Sequence, residues 1–240
     1  MTTVIASITL TEQERTLFDA LLTAARETSS TLRAAGGWVR DKLLGLPSGD
    51  IDIAVDNMTG EQFAHHVHHE GKVGVIKSNP DQSLHLETAT TFINGVSVDF
   101  TNLRSESYTT TSRIPAIRFG TPKEDAERRD LTINALFYNL NTQQVEDWTE
   151  NGVSDLKAGI VRTPLPPMET FLDDPLRVLR AVRFAARFGF RIDDELMKAA
   201  SSPEVTQALA TKISRERIGK ELSLMMTKPR IGYALGTILA

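Results

Sequence analysis

Two aspartates separated by one residue, Asp50 and Asp52, stand at the start of the apolar run IDIAV. Side chains at positions i and i+2 of a strand leave the same face, so the carboxylates point together while Ile51 and Ile53 point into a core. Adjacent carboxylates repel each other unless a cation lies between them. Mg²⁺ prefers such oxygen ligands and is usually completed by water and substrate phosphates. The pair indicates metal-assisted phosphoryl or nucleotidyl transfer rather than exposed acids in a loop.

A third aspartate, Asp99, lies in the alternating segment VSVDF. Alternation places Val98 and Phe100 on one face of a strand and Asp99 on the other. If this strand neighbours the one that carries Asp52, Asp99 completes a carboxylate triad for two metal ions about 3.5–4 Å apart. The alternative is an ordinary acid on the solvated face of an edge strand.

A glycine pair, Gly36-Gly37, precedes the aspartates in the run GGWVRDKLLGLPSGDIDIAV. Glycine lets backbone amides approach an anion, and the N-terminus of a following helix favours phosphate. A tight strand-to-helix turn explains the pair equally well when it is considered alone. The Asp-x-Asp strand that follows favours the phosphate-binding interpretation.

Polar residues crowd the segment RRDLTINAL, which begins at Arg128. Arg128 and Arg129 can bind triphosphate oxygens. Asp130 and Asn134, one helical turn apart, face the same side and could hold a ribose hydroxyl. The alternative is a helix start with a solvated run of charges.

The segment DDPLRVLRAVRF opens a helical region. Asp174 fits the N-cap of a helix that has Pro175 at its first position. Asp174 and Arg177 together offer an acceptor and donors that could also read the edge of a nucleobase. We expect Arg180 and Arg183 to take part in base recognition with them. A basic stripe runs along one helix face, formed by Arg177, Arg180, Arg183 and Arg187.

The histidines at positions 65, 66, 68 and 69 raise the possibility of a zinc site. His65 and His69 have the i, i+4 spacing of a chelating pair. No catalytic pattern accompanies them. The polar face of an exposed helix is the favoured interpretation.

The elements that must position these residues follow from periodicity and turn signals. The sequence TEQE at Thr11 predicts a capping box and a helix over 11–29. Asn94-Gly95 predicts a hairpin turn, and Gly71 a helix C-cap. Residues 105–121 are polar and predict a long mobile loop or ribbon. We expect strands at 31–35, 50–55, 73–77, 84–92 and 96–103, and helices at 38–44 and 59–70.

The character of the chain changes at the proline cluster of residues 164–167, which is typical of a boundary. Upstream, strands and helices mix, whereas almost everything downstream is helical, with helices expected at 171–188, 193–200, 203–209 and 214–225. We therefore expect a catalytic α/β head over 1–165 and a helical domain over 166–240. The last residues, 233–240, are apolar, and we expect the natural chain to continue beyond them.

Composition restricts the class of protein. The chain has 240 residues, 40% hydrophobic and 24% charged, which is typical of a globular protein with a sizeable core. It has no cysteine, which excludes disulfides, thiolate zinc sites and cysteine nucleophiles. Its net charge of -4 argues against a surface coated with positive charge. No apolar run reaches the roughly 18 residues of a membrane span, and we recognise no signal or transit peptide.

Taken together, the motifs resemble those of the class II tRNA nucleotidyltransferases, the CCA-adding enzymes, which belong to the polymerase-beta-type nucleotidyltransferases. The resemblance covers about residues 30–225 and is closest to the fungal or other eukaryotic branch. It implies an α+β head with a mixed five-stranded sheet, followed by an all-helical neck. The matching segments, in the order of the family, are LRAAGGWVRDKLLG, SGDIDIAV, RRDLTINALFYN, DLKAGIVRTP, DDPLRVLRAVRFAARFGF and ERIGKEL.

The resemblance also implies roles for individual residues. Asp50 and Asp52 match the ligands of catalytic Mg²⁺, with two ions expected, and Asp174 and Arg177 match the motif that reads CTP or ATP. Residues 105–121 match the mobile loop associated with the change from C to A addition. Arg129 and Asp130 match the family's motif for ribose and phosphate contacts. The full set of residues that we expect to bind nucleotide and phosphate is Gly36, Gly37, Arg40, Arg128, Arg129, Asp130 and Asn134. A hinge is implied at Asp155, Gly159 and Arg162, and a neck-stabilising motif at Glu216 and Arg217.

The activity implied is template-independent addition of CCA to tRNA 3′ ends from CTP and ATP, with release of pyrophosphate. The implied partners are tRNA, CTP and ATP, and no membrane is implied. The implied location is intracellular, in the cytoplasm, with the nucleus and the mitochondrion as further candidates. Two departures stand out. Asp173 replaces a common Glu, and the body and tail domains that grip tRNA are missing. The alternatives are a poly(A) polymerase, an enzyme that adds only A or only C, and a non-catalytic RNA- or nucleotide-binding fragment.

Overall fold

The computed structural model of the chain describes residues 2–4, 8–67, 74–76, 88–109, 112–227 and 230–239. The strands are β1 (Thr2–Val4), β2 (Leu32–Ala35), β3 (Ile51–Val55), β4 (Gly74–Ile76), β5 (Thr88–Ile93), β6 (Val96–Asn102), β7 (Arg104–Thr109), β8 (Ser112–Phe119), β9 (Phe137–Asn139), β10 (Gln144–Asp147), β11 (Ile160–Val161) and β12 (Arg191–Ile192). The helices are α1 (Glu12–Thr28), α2 (Gly37–Leu43), α3 (Gly60–Val67), α4 (Pro122–Glu127), α5 (Gly152–Ala158), α6 (Pro167–Asp173), α7 (Leu176–Phe188), α8 (Asp194–Ala200), α9 (Pro203–Lys212), α10 (Arg215–Met226) and α11 (Ile231–Leu239), and a short 3₁₀ helix spans Thr132–Asn134.

The described residues divide into two compact units. Unit 1 contains residues 1–106, 116–125 and 136–148, and unit 2 contains residues 107–115, 126–135 and 149–240. The expected division at residue 165 assigns segments 126–135 and 149–165 to the head, whereas here they pack in the unit that contains the C-terminal helices. The division into a catalytic domain and a neck stays a prediction.

Unit 1 is built on a mixed sheet of eight of the described strands, in the order β1-β10-β9-β2-β3-β6-β5-β4. The pairing of β3 with β6 is parallel, and the other pairs in this sheet are antiparallel. The expectation of five strands was therefore wrong in number, although the mixed head fold is confirmed. The additional strands are β1, β9 and β10, which have three or four residues each and are too short to show an alternating pattern.

The helices of unit 1 position the strands through apolar faces. The capping box predicted at Thr11 is present, because its hydroxyl accepts from Glu14 N–H while the Glu14 carboxylate accepts from Thr11 N–H, the reciprocal arrangement that defines this motif. α1 buries Leu17 and Leu21 completely. The rings of Phe63 on α3 and Phe100 on β6 lie 5.3 Å apart. These contacts hold the core-facing side of β3 and β6.

The turns of the sheet match their sequence signals. Asn94 and Gly95 both have positive φ, 51° and 81°, as the predicted hairpin turn between β5 and β6 requires. β7 and β8 pair with each other, so the ribbon interpretation of residues 105–121 is confirmed for the described part of that segment. The predicted helix C-cap at Gly71 lies outside the described residues.

Unit 2 is mainly helical, and its described strands are the short parallel pair of β11 and β12 and the parts of β7 and β8 that fall within residues 107–115. α7 packs against α6, α10 and α11. The predicted helix over 171–188 is in fact two helices, because Asp174 has an extended backbone between α6 and α7 and Pro175 cannot donate to a continuous helix. No helix among the described residues is long and apolar enough to cross a bilayer.

Candidate active site

The first group of predicted site residues lies on one face of the unit 1 sheet. β3 and β6 are adjacent and parallel, and their register pairs Asp52 directly with Asp99. Paired residues of neighbouring strands point to the same face. The condition set by the sequence, that the two strands be neighbours, is therefore met. The catalytic role of Asp99 remains a prediction.

Asp50 immediately precedes the first residue of β3 and is exposed, as is Asp52. Ile51 and Ile53 are 4% and 0% exposed, so the opposite face of the strand is core. The predicted alternation is confirmed from Ile51 to Ile53, whereas Ala54 and Val55 are both buried. The strand begins at Ile51 rather than at Asp50. Accessible carboxylates on a rigid strand are suitable ligands for a hard cation.

The acids of unit 1 fit a Mg²⁺ site that substrate completes. Among the described residues, no three His, Cys, Asp or Glu side chains converge closely enough to enclose a metal ion by themselves. Mg²⁺ is usually bound by one or two carboxylates together with substrate phosphates and water. Asp50 and Asp52 supply such oxygens, and Asp99 adds a third carboxylate on the neighbouring strand.

Thr90, which the sequence reasoning missed, contacts this group. Its hydroxyl donates to Asp99 Oδ1 at 2.6 Å. The register of β5 and β6 pairs Thr90 with Asp99 directly. No local sequence signal could have revealed the contact, because it depends on the register of two strands.

The glycine pair forms the turn from β2 into α2. Gly36 has φ 64°, and its N–H donates to Leu136 O at 2.9 Å. A positive φ favours glycine, because a side chain at such a position is strained. Arg40 is buried and forms an ion pair with Asp41 at 2.7 Å. These observations account for a tight turn, and the phosphate-binding roles of Gly36, Gly37 and Arg40 stay predictions.

The second group of site residues lies in unit 2, around Asp130. Arg180 donates from Nε to Asp130 Oδ2 at 2.7 Å, and its Nη2 lies 2.6 Å from the same oxygen. Asn134 Nδ2 donates to Asp130 Oδ1 at 3.1 Å, so the predicted shared side of Asp130 and Asn134 is confirmed. Burial raises the pKa of Asp130, but the charge of Arg180 and the hydrogen bonds from Asn134 and Arg180 outweigh burial and leave the pKa below its usual value, as expected for a carboxylate beside a cation.

The two arginines before Asp130 are held by their surroundings. Arg128 accepts a hydrogen bond on its carbonyl oxygen from Arg177 Nη2 at 2.6 Å. Arg129 Nη1 donates to Asn134 O at 3.3 Å. Both side chains are half-buried, and their triphosphate-binding role stays a prediction.

Asp174 has both the capping contact and a charged partner. Its Oδ1 accepts from Leu176 N–H at 3.2 Å. The predicted N-cap was wrong by one residue, because α7 begins at Leu176 with Pro175 as its N-cap, and Asp174 is the C-cap of α6. Its Oδ2 lies 3.0 Å from Arg217 Nη2 on α10. Arg177 is buried and donates to the carbonyl oxygens of Thr170 and Arg128. The base-reading role of Asp174 and Arg177 stays a prediction.

Acidic residues break up the basic stripe predicted along α7. Glu221 on α10 accepts from Arg183 Nε at 2.6 Å and lies 3.8 Å from Arg180 Nη1. Arg180 also pairs with Asp130. Arg217 and Glu221 both lie in α10, and they share one of its faces because they are four residues apart, a signal that the sequence reasoning did not use.

The histidines of α3 pair with acids. His66 Nε2 lies 2.9 Å from Glu27 and His65 Nε2 lies 3.9 Å from Glu61. His69 lies outside the described residues. Within the part of the chain that the structure describes, these histidines join no metal-binding group.

Comparisons with known proteins give a consistent result. A family described as the poly A polymerase head domain matches residues 32–162. The mitochondrial CCA tRNA nucleotidyltransferase of Saccharomyces cerevisiae is 56% identical over 220 residues, covering 87% of this chain and 40% of that protein. Its Candida glabrata counterpart is 50% identical over 247 residues, covering 95% of this chain and 46% of that protein. The chain thus spans less than half the length of these curated relatives.

The fold also matches a solved structure. The Thermotoga maritima CCA-adding enzyme complexed with tRNA superposes with a TM-score of 0.75 and 28% identity, covering 96% of this chain and 51% of that one.

Proposed function

Since this chain belongs to the poly A polymerase head domain family, we propose that it is the catalytic part of a template-independent tRNA nucleotidyltransferase. It adds CCA to tRNA 3′ ends from CTP and ATP and releases pyrophosphate. The observation that supports the proposal most directly is the in-register pairing of Asp52 with Asp99 beside an exposed Asp50. The mitochondrial CCA tRNA nucleotidyltransferases of two yeasts are the relatives that suggest the substrate.

The reaction joins the 3′ oxygen of the tRNA to the α-phosphorus of the nucleotide. The bond from that phosphorus to the pyrophosphate oxygen breaks, and the hydroxyl proton must be removed. Asp50 and Asp52 would hold Mg²⁺, which would supply Lewis-acid activation of the hydroxyl and charge neutralisation of the leaving pyrophosphate. Asp99 Oδ2 has no hydrogen-bond partner among the described residues, so it is the oxygen that can accept the proton or a metal contact.

Unit 2 supplies the selection of the nucleotide. Arg177 donates hydrogen bonds and Asp174 accepts them, so a cytosine or adenine edge can be read by protein side chains. A base whose edge lacks the matching donors and acceptors would lose these hydrogen bonds and bind more weakly. Asp130 and Asn134 hold the ribose, and Arg128 and Arg129 bind the triphosphate.

The proposed partners are therefore tRNA, CTP and ATP. The proposed location is intracellular, and mitochondria are included because two relatives are described as mitochondrial. The proposal of two Mg²⁺ ions rests on the resemblance to the nucleotidyltransferase family. Asp50 and Asp52 supply carboxylate oxygens, and substrate phosphates and water would complete the coordination, because no three acids among the described residues enclose an ion by themselves.

Incorporation of labelled nucleotides tests the function. Purified protein is incubated with Mg²⁺, CTP and ATP and with tRNAs that end before, within and after CCA. We expect two C and then one A on the shortest tRNA, the missing residues on the intermediate one, and no addition to the complete one.

The second candidate function is that of a poly(A) polymerase or an enzyme specific for A or C, which the description of the matching family favours. Long A tails on an arbitrary RNA would replace the proposal by a poly(A) polymerase. Addition of only A or only C would replace it by a partial enzyme. Binding of CTP without any addition would indicate a nucleotide-binding fragment.

A further inference from the structure

We propose that Thr90 is a positioning residue for nucleotidyl transfer, whose hydroxyl orients the carboxylate of Asp99 beside Asp52. The inference rests on the proposed function, because it assigns Asp99 to the reacting site. It adds a residue that belongs to none of the motifs recognised in the sequence.

The sheet places the three residues in one row across neighbouring strands. Thr90 on β5 pairs with Asp99 on β6, and Asp99 pairs with Asp52 on β3. Directly paired residues point to the same face, and neighbouring strands are about 4.8 Å apart. Thr90 therefore lies at one end of a row whose other end is the predicted metal ligand.

The contact restrains the third carboxylate. The Thr90 hydroxyl donates its single proton to Asp99 Oδ1 at 2.6 Å, and both side chains are half-buried. A short hydrogen bond to a charged oxygen is stronger than one between neutral groups. It limits rotation of the carboxylate and leaves Oδ2 as the oxygen without a partner among the described residues. Asp99 therefore has one defined oxygen for the reacting hydroxyl or a cation.

The donor is neutral, and this matters for the chemistry. A cationic partner neutralises a carboxylate, as Arg180 does for Asp130 in unit 2. Thr90 orients Asp99 but leaves its negative charge uncompensated. A carboxylate that must attract a divalent cation or accept a proton requires that charge.

The neighbouring Thr91 provides a matched control for the hydroxyl of Thr90. Thr91 points to the opposite face, is 1% exposed, and its Oγ1 has no hydrogen-bond partner among the described residues. A β-branched side chain suits either position. Valine should therefore replace Thr91 without loss, whereas at position 90 it removes the bond to Asp99.

The test compares Thr90→Val with Thr90→Ser, which keeps the hydroxyl, and with Thr91→Val as the matched control. Single-nucleotide addition gives kcat and the KM for CTP, and electron paramagnetic resonance measures Mn²⁺ binding without nucleotide. In Thr90→Val we expect kcat to fall about 10- to 100-fold with little change in KM. Mn²⁺ affinity should also fall several-fold, while the other two variants stay within about twofold of the wild type.

The outcomes distinguish a failure of the positioning role of Thr90 from a failure of the proposed nucleotidyltransferase function. If the wild type adds nucleotides and Thr90→Val retains both kcat and Mn²⁺ affinity, the positioning role is refuted and the function stands. If the wild type adds none but Thr90→Val alone loses Mn²⁺ affinity, the function fails and the orientation of Asp99 is supported. A wild type that neither adds nucleotides nor binds Mn²⁺ refutes both. If Thr90→Val does not fold, Thr90→Ala is tested in its place.

Discussion

Arg180 and Asp130 form an ion pair in which Arg180 Nη2 lies 2.6 Å from Asp130 Oδ2, although the residues are 50 positions apart in the chain. Asp130 is buried, whereas the Arg180 side chain is 35% exposed. The pair links the segment before the 3₁₀ helix to α7. Its electrostatic energy is partly screened by solvent on the Arg180 side.

The first prediction concerns acid stability. The pKa of Asp130 is lowered in the folded protein, so its ionised form stabilises the fold above the unfolded pKa. That contribution is lost as the pH falls below about 4 and through the folded pKa. In Asp130→Asn, the free energy of unfolding should therefore depend less on pH in this range. Urea titrations at several pH values measure the free energy of unfolding. If it changed with pH as steeply in Asp130→Asn as in the wild type, the lowered pKa of Asp130 would be contradicted.

The second prediction concerns the metal ligand. Asp52→Asn should reduce nucleotide addition about 1,000-fold, which corresponds to a loss of about 4 kcal/mol of transition-state stabilisation. The melting temperature should change little, because Asp52 is exposed and the substitution relieves repulsion between carboxylates. Asp19→Asn, at an exposed position of α1, is the control. Retained activity in Asp52→Asn would exclude the metal assignment.

The third prediction concerns base selection. Arg177→Ala should reduce the discrimination among CTP, ATP and the other nucleotides. Because Arg177 also donates to two carbonyl oxygens, the fold should lose about 1–3 kcal/mol. Competition assays and thermal melts measure both effects, with the exposed Arg187→Ala as the control. Loss of stability with unchanged selectivity would assign Arg177 to structure alone.

The fourth prediction concerns the contacts of helix α10. Glu221 is buried and contacts Arg183 and Arg180, so Glu221→Gln leaves these cations without their acidic partner on α10. We expect a loss of about 1–3 kcal/mol in the free energy of unfolding. Glu216→Gln should cost less than about 0.5 kcal/mol, because Glu216 is exposed on the same helix, in contrast to the stabilising role that the family resemblance implies for it. Equal values for the two variants would show that the cluster does not stabilise α10.

The fifth prediction uses two glycines. A Cβ at Gly60 would lie against the carbonyl oxygen of Phe100, so Gly60→Ala must shift α3 away from β6 and should cost about 1–3 kcal/mol. Gly219 lies in α10 with no atom close to a Cβ, so Gly219→Ala should stabilise the protein by about 0.5–1 kcal/mol. Denaturant melts compare the two. We expect the free energy of unfolding to fall in Gly60→Ala and to rise in Gly219→Ala. An unchanged stability of Gly60→Ala would contradict the close packing of α3 on β6.

Local patterns were sufficient for much of the fold. The alternation of Ile51, Asp52 and Ile53 determines which side of β3 is core, because successive side chains of a strand point to opposite faces. The capping box at Thr11 and the Asn94-Gly95 turn involve residues within a few positions of each other. Such signals depend only on residues that are near neighbours in the chain. The strands β9 and β10 were missed because they have only three and four residues, which is too few to show an alternating pattern.

The sequence by itself determined the types of chemical group available: paired carboxylates before and within β3, arginines along α7 and glycines at a turn. Only the tertiary structure decided which of these groups meet. Strand register brought Thr90 to Asp99 and Asp99 to Asp52, and helix packing placed acids against the arginines. The physical reason is that these partners are distant in the chain. Their contacts depend on how strands pair and helices pack, which no local pattern encodes.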